Sequence, residues 1–337
     1  SCSSDDLDSF SGNSSKNEAI SFDGYLGRSA VAVNGTRGSL LDKTTLQSVG
    51  FGVFGNYSST ESENANFGIN LFNDVKVTGT TSKGSTTWTY SGVKYWPSQG
   101  QIDFLAYAPH ETGKTLKNTS CIDFTVVPKA ADQKDLLWAN ATKQTIKTIT
   151  KNENKVKFHF AHALSRLGFT VKLKGEPSDD VTITLKSIKL AGSADGTSKK
   201  AFYTGGDFDL ATGAWSQATL NTKQNVDWFS GSEKVTSTSQ TNTELGTDYL
   251  FVIPQEFPNT TEDNKLYVIV EYDIKYNGIT ETITNKVHQV LKTDGFKQGK
   301  AYTINLTIGR PIEFDADVTP WVDDTNTNTD INIDSWE

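Results

Sequence analysis

Tyr302-Thr303-Ile304-Asn305-Leu306-Thr307-Ile308, followed by Ile312-Glu313-Phe314-Asp315-Ala316-Asp317-Val318, alternates apolar and polar residues. Successive side chains of a strand point to opposite faces, so a period of two marks strands with one face buried and one in water. A helix would need apolar residues at intervals of three and four. The same alternation recurs upstream. Leu266, Val268, Val270, Tyr272, Ile274 and Tyr276 line one face of a long strand. Val181, Ile183 and Leu185 mark another, as do Val156, Phe158 and Phe160. Ile102-Asp103-Phe104-Leu105-Ala106 and Ile122-Asp123-Phe124-Thr125-Val126 repeat it. Gly, Asn, Asp and Ser clusters break the runs, as turns require. Parallel sheets would read as continuous apolar runs joined by long helices, and that pattern is missing. The fold class expected is mainly β, with two tandem antiparallel β-sandwich domains.

The length of 337 residues fits two domains, each large enough to bury a core. Residues 1–19 are rich in Ser, Asp, Asn and Gly and read as a flexible tether. The polar stretch Thr150-Lys151-Asn152-Glu153-Asn154-Lys155 places the boundary, giving an N-terminal sandwich over 20–154 and a C-terminal one over 155–322. Residues 323–337 form a polar tail. Helix is expected only over 132–151, with Leu136, Leu137 and Trp138 as its buried side. Ala161–Arg166 reads as a short turn between two strands.

Hydrophobic residues are 35% and charged residues 21%, values of a folded soluble chain. The longest apolar stretches, such as Tyr249–Pro254, are strand-sized and far below a membrane helix. A net charge of -8 with scattered lysines argues against nucleic acid. There are two Cys and no Met, so no disulfide framework is expected, and the sequence is expected to start downstream of an initiator. Cys121 reads as a small buried hydrophobe. Ser1-Cys2-Ser3-Ser4-Asp5-Asp6 looks like the start of a mature lipoprotein, with Cys2 carrying acyl chains after removal of a signal peptide.

Several blocks in order resemble the fimbrillin family of type V pilus subunits and fimbrillin-like lipoproteins of Bacteroidetes. Phe51-Gly52-Val53-Phe54-Gly55-Asn56-Tyr57 is similar to that family's first core strand. Tyr95-Trp96-Pro97 followed by Ile102–Pro109 resembles its most recognisable block. Phe158–Phe169 resembles the start of its second domain, and Gly299–Leu306 with Ile312–Trp321 its closing strands. The resemblance implies two transthyretin-like, Greek-key sandwiches. It also implies a lipoprotein of the cell surface and outer membrane that joins other fimbrial subunits by strand exchange after proteolytic loss of its first strand. Ile20, Phe22 and Tyr25 lie on the plausible removable strand. Arg28 and Arg37 follow in small-residue contexts suited to cleavage, Arg37 being preferred. Ile331, Ile333 and Trp336 alternate in the tail and could donate to a neighbour or close their own domain.

The residues themselves offer little chemistry. His110, His159, His162 and His288 form no metal-binding or catalytic motif, and no phosphate loop or nucleophile elbow appears. No cofactor or metal is expected, and the chain is not expected to be an enzyme. His159 should point away from Phe158 and Phe160, and His162 should hydrogen-bond at the domain junction. Asp324, Asn326, Asn328 and Asp330 alternate like part of a calcium loop but lack its Gly and Glu. Trp88, Trp215 and Trp228 are the candidates for exposure, which would suit the alternative of a monomeric surface lipoprotein binding glycan or another ligand through its sandwich loops.

Overall fold

In the computed structural model, which describes residues 19–26, 43–258, 260–309 and 313–321, the chain is mainly β with one short helix and brief 3-10 turns. The strands are β1 (Phe22–Leu26), β2 (Phe51–Ser58), β3 (Phe72–Ser82), β4 (Ser85–Thr89), β5 (Gln101–Ala108), β6 (Cys121–Thr125), β7 (Leu137–Gln144), β8 (Val156–His162), β9 (Ser165–Leu173) and β10 (Val181–Ala191). Next come β11 (Phe202–Tyr203), β12 (Gly205–Asp209), β13 (Ala214–Trp215), β14 (Lys223–Gln224), β15 (Val226–Lys234), β16 (Gln240–Thr241) and β17 (Leu250–Val252). The last are β18 (Gln255–Glu256), β19 (Tyr267–Tyr276), β20 (Thr282–Val290), β21 (Gly295–Phe296), β22 (Ala301–Gly309) and β23 (Glu313–Pro320).

The first sheet has the order β1-β8-β7-β5-β2-β3-β4. Its central strand β5 is buried along its whole length. Ile102, Phe104 and Ala106 enter a core with Phe22, Phe72 and Phe158, while Leu105 and Tyr107 enter a different one with Phe54 and Phe208. The two faces of β5 therefore serve two cores, as the period of two in its sequence demands.

The second half builds a pair of facing sheets, β15-β10-β19-β20 and β16-β9-β22-β23, with β17 also on β9. Val268, Val270 and Tyr272 from one meet Ile304, Leu306 and Ile308 from the other. A third cluster joins the halves, with Ala163, Leu164, Trp215 and Phe251 against Leu105 and Tyr107. β6, from the first half, pairs antiparallel with β12 from the second, Asp123 opposite Asp207.

Four expectations are corrected. Two of the sheets are mixed, because β1 runs parallel to β8 and β22 runs parallel to β9, while β15-β10-β19-β20 is antiparallel throughout. β8, expected to open the second domain, lies in the first sheet, where Phe158 and Phe160 pack on Phe51. The expected helix over 132–151 is instead the strand β7 with irregular chain before it and a turn and a 3-10 stretch after it. β7 buries Leu137, Ala139 and Ala141 on one face, a period of two that the run Leu136-Leu137-Trp138 masked. Arg166 lies within β9, and the bend between strands is only Ala163-Leu164.

One helix had no sequence signal. The segment α1, Lys43–Val49, buries Leu46 and stops at Gly50, whose N–H donates to Leu46 O at 2.8 Å. Gly50 has φ of 75°, and a Cβ there would lie 2.7 Å from Val77 O, so glycine is required to end the helix.

Candidate functional site

The strand β1 occupies the most unusual seat in the molecule. Ile20 and Phe22 are each 1% exposed. Alternation sends Phe22, Gly24 and Leu26 inward and Asp23 and Tyr25 outward. The Phe22 ring sits 5.4–5.6 Å from the rings of Tyr90, Phe104, Phe72 and Phe158. A Cβ added at Gly24 would lie 3.0 Å from Phe51 Cε1 and 3.4 Å from Phe160 and Trp88, so the backbone itself presses on the core.

Among the described residues, main-chain support for this strand is one-sided. Phe22 to Leu26 pair in parallel with Val156 to Phe160 of β8. Just before β1, the Ile20 N–H donates to Lys94 O at 2.7 Å, Ala19 bridges Tyr95, and the Tyr90 hydroxyl donates to Ile20 O. β1 and β4 are the two end strands of the sheet and no pairing joins them. β1 thus plugs the seam of a curled sheet, with one edge unpaired among the described residues beyond these N-terminal contacts.

Outside the core, the Tyr25 ring stacks on His159 at 5.1 Å with Lys157 Nζ 5.6 Å away. The Tyr25 hydroxyl donates to Asp23 Oδ2 at 3.0 Å. Partial burial and then the Asp23 bond push the phenol up to about 12. Burial, and secondarily Lys157, lower the pKa of His159. His159 indeed points away from Phe158 and Phe160, which are both fully buried.

Of the residues that sequence reading singled out, Ile20, Phe22 and Tyr25 come together here. Cys2, Arg28, Arg37, Ile331, Ile333 and Trp336 lie outside the described residues, as does the alternating Asp324–Asp330 stretch. The clamp residues Tyr90 and Lys94 and the stacking partner His159 were missed, because nothing in their local sequence points to a strand so distant in the chain.

Two polar clusters lie elsewhere. Tyr107 donates to Asp74 Oδ1 at 2.5 Å and accepts from the Glu111 N–H, and His110 Nε2 lies 3.3 Å from Asp74. Burial raises the pKa of both Asp74 and Tyr107. Their contacts hold the 110–114 loop against β3. At the junction of the halves, His162 Nδ1 lies 3.0 Å from Asp135 Oδ2 with both side chains fully buried. The Arg166 guanidinium lies 4.1 Å from the Tyr249 ring and 4.9 Å from Trp321. Burial lowers its pKa to about 10. His162 therefore bonds at the junction as expected, but from the end of β8 rather than from a turn.

The expected exposure of Trp88, Trp215 and Trp228 is overturned, since they are 7%, 6% and 5% exposed. Trp88 packs on Phe51, while the indole N–H groups of Trp215 and Trp228 donate to Ala163 O and Asp248 O. These rings are core, and the glycan-stacking role that rested on them has no platform here. Cys121 is half-buried at the start of β6, with burial raising its thiol pKa. Among the described residues no cluster of His, Cys, Asp and Glu could hold a metal, and no helix is long and apolar enough to cross a membrane.

Comparison with known proteins adds an independent line. Residues 36–336 match a family described as fimbrillin-like. Over 144 residues the chain is 28% identical to Fim1C of Bacteroides uniformis, described as a candidate fimbrium subunit. That match takes in 42% of this chain and 46% of the relative, so the chain spans about half the length of the curated protein it matches. A fimbrial protein of Bacteroides vulgatus has a similar fold, with a TM-score of 0.67 and 21% identity over 91% of this chain and 100% of that one. A candidate cell adhesion protein of Bacteroides uniformis aligns at a TM-score of 0.50 and 17% identity, over 92% and 99%. At these identities the two structures speak for the fold alone.

Proposed function

The chain belongs to the fimbrillin-like family, and from that membership we propose that it is a structural or adhesive subunit of surface fimbriae rather than an enzyme. Its assembly would proceed by exchange of the first strand. The observation that carries this reading is the seat of β1, an apolar plug deep in a core that, among the described residues, is joined by main-chain pairing along its length to a single strand.

The energetics fit a strand that can be replaced but not left out. Burying a Phe or Ile side chain contributes about 1.5–3 kcal/mol, so losing Ile20 and Phe22 would expose a groove worth several kcal/mol to an incoming strand. The vacated edge of β8 would offer unpaired backbone groups along Val156–Phe160. A strand from a second subunit would recover both terms, with main-chain bonds for affinity and alternate side chains for register. An edge that is normally an aggregation hazard becomes the joining surface.

Three further parts complete the proposal. Acyl chains on Cys2 would hold the precursor at the outer membrane through the tether 1–19. Cleavage after Arg37, or after Arg28, would free the first strand. Ile331, Ile333 and Trp336 would serve as donor plugs. The two halves are read as tandem transthyretin-like sandwiches meeting at Ala163-Leu164.

Limited trypsin digestion tests the reading. Trimming at Arg28 or Arg37 should yield a ladder of multimers on gels that preserve strand-exchanged complexes, and N-terminal sequencing should place the cut. A fully trimmed protein that stays monomeric would refute strand exchange. Mass spectrometry of native material with an unmodified thiol at Cys2 would refute the lipid anchor.

A further inference from the structure

Main-chain pairing serves almost any strand, so discrimination by the seat of β1 has to come from side chains. Register is set first. The Val156 N–H donates to Ser21 O at 2.9 Å, and Phe22 to Leu26 then run level with Val156 to Phe160. Each position from 20 to 26 therefore meets its own set of neighbours.

The inner positions call for different shapes. At 20 a buried aliphatic side chain is centred between the Lys94 carbonyl and the Tyr90 hydroxyl, which hold its main chain. At 22 four aromatic rings enclose a fifth. At 24 there is no room for a side chain, because the Phe51, Phe160 and Trp88 rings stand where it would go. Those rings have little freedom to retreat. Phe51 packs on Trp88 and Phe160 at 5.1 and 5.2 Å. Trp88 also abuts Gly79, where a Cβ would lie 3.0 Å from its Cε3. Leu26 packs on the same core in part.

The outer positions add charge and flatness. Lys155 Nζ lies 3.7 Å from Asp23 Oδ1, so 23 favours an acid. At 25 the His159 ring lies nearly parallel to the Tyr25 ring, at 16°, and Lys157 Nζ approaches the same ring. A cation and a flat ring together favour an aromatic occupant.

We propose that this seat selects its occupant by sequence. The segment it accepts from another subunit runs parallel to β8, as β1 does. In seven consecutive residues it carries an aliphatic residue, any residue, an aromatic ring, an acid, glycine, a second aromatic ring and an apolar residue. The inference rests on the strand-exchange reading and adds to it which strand is taken. Glycine in the fifth place is the strictest requirement, since packed rings leave no space. The acid is the mildest, since the Lys155 side chain is 37% exposed and its attraction is screened.

Peptide binding to the trypsin-trimmed protein, read by fluorescence anisotropy, tests it. The probe is a labelled peptide of residues 19–26, which should bind. Gly24→Leu in the peptide should weaken binding at least about tenfold. Reversing the peptide sequence should weaken it as much. Asp23→Lys should weaken it about two- to fivefold, less so in high salt. Ser21→Thr should leave it within about twofold. Equal binding of the Gly24→Leu or the reversed peptide would overturn the selection and leave strand exchange standing. A folded trimmed protein that binds not even the unaltered peptide would overturn strand exchange itself, and the selection with it. The β22 amides report whether the trimmed protein is folded. If it is not, the full-length chain decides. There Gly24→Val should lower hydrogen-exchange protection of the β1 amides at least about tenfold while Ser21→Thr does not. Equal protection in the two variants would overturn the proposal.

Discussion

β1 and β22 are both strands with a parallel partner and buried side chains, yet they are held very differently. β22 lies between β9 and β23 and is hydrogen-bonded along both edges. Among the described residues β1 is bonded along one edge, to β8. Phe22 and Ile304 are equally buried, at 1% each. Depth in a core is therefore the same for both, and the pairing differs. What separates the two is the second ladder, which ties β22 into the cooperative unit; on the proposed strand-exchange reading β1, with no second ladder among the described residues, is the element that separates.

The sharpest way to break this contrast is to damage each strand equally. Phe22→Ala should cost about 3–5 kcal/mol and Ile304→Ala or Leu306→Ala about 2–5 kcal/mol. The distribution of the loss matters more than its size. The Phe22 variant should lose hydrogen-exchange protection in β1 while β5 and β22 stay protected, whereas the β22 variants should lower protection throughout the second half. A Phe22 variant that destabilises every strand alike would erase the distinction.

A smaller test uses the close approach at Gly24. Gly24→Ala places a Cβ against Phe51 and Phe160 and should cost about 1–3 kcal/mol through overpacking. Circular dichroism melts should register the loss, again with exchange confined to β1. A neutral result would mean that β1 shifts easily in its seat, which would sharpen the case for replaceability.

The smallest expected effect is the pH response of Tyr25. Its folded pKa is raised to about 12 from the ordinary tyrosine value of 10.0. The stabilisation of the neutral phenol is complete below pH 10 and is lost as pH rises through about 12, because the unfolded phenol ionises first. Protection of the β1 amides, corrected for the intrinsic rate, should fall over that window, and Tyr25→Phe should remove that part of the fall. Identical profiles with and without the hydroxyl would remove Tyr25 as a contributor. No corresponding effect is expected at β22, whose protection should not change with this substitution.

Much of the fold could be read from the chain in advance. The two-faced character of β5 follows from Ile102-Asp103-Phe104-Leu105-Ala106-Tyr107, where both sets of alternate positions carry large apolar groups. The buried faces of β8, β19 and β22 follow in the same way. At the candidate site, Ile20, Phe22 and Tyr25 were legible as members of one strand. Its partners Tyr90, Lys94 and His159 were not, because each contact spans a long stretch of chain with no local signature. Helix α1 was missed for a related reason, since a single buried Leu46 gives no periodicity to detect. β7 was misread because Leu136-Leu137-Trp138 fits a buried helix as well as a strand.

By itself, the order of residues determined that the protein is built of strands and which face of each strand turns inward. Side-chain alternation encodes faces directly, through the cost of leaving apolar groups in water. Only the tertiary structure decided which edges meet: β1 beside β8, β22 between β9 and β23, and β6 across to β12. Every backbone offers the same N–H and C=O groups along its edge, so the choice of neighbour, and with it the half-paired state of β1, emerges from the packing of the whole chain.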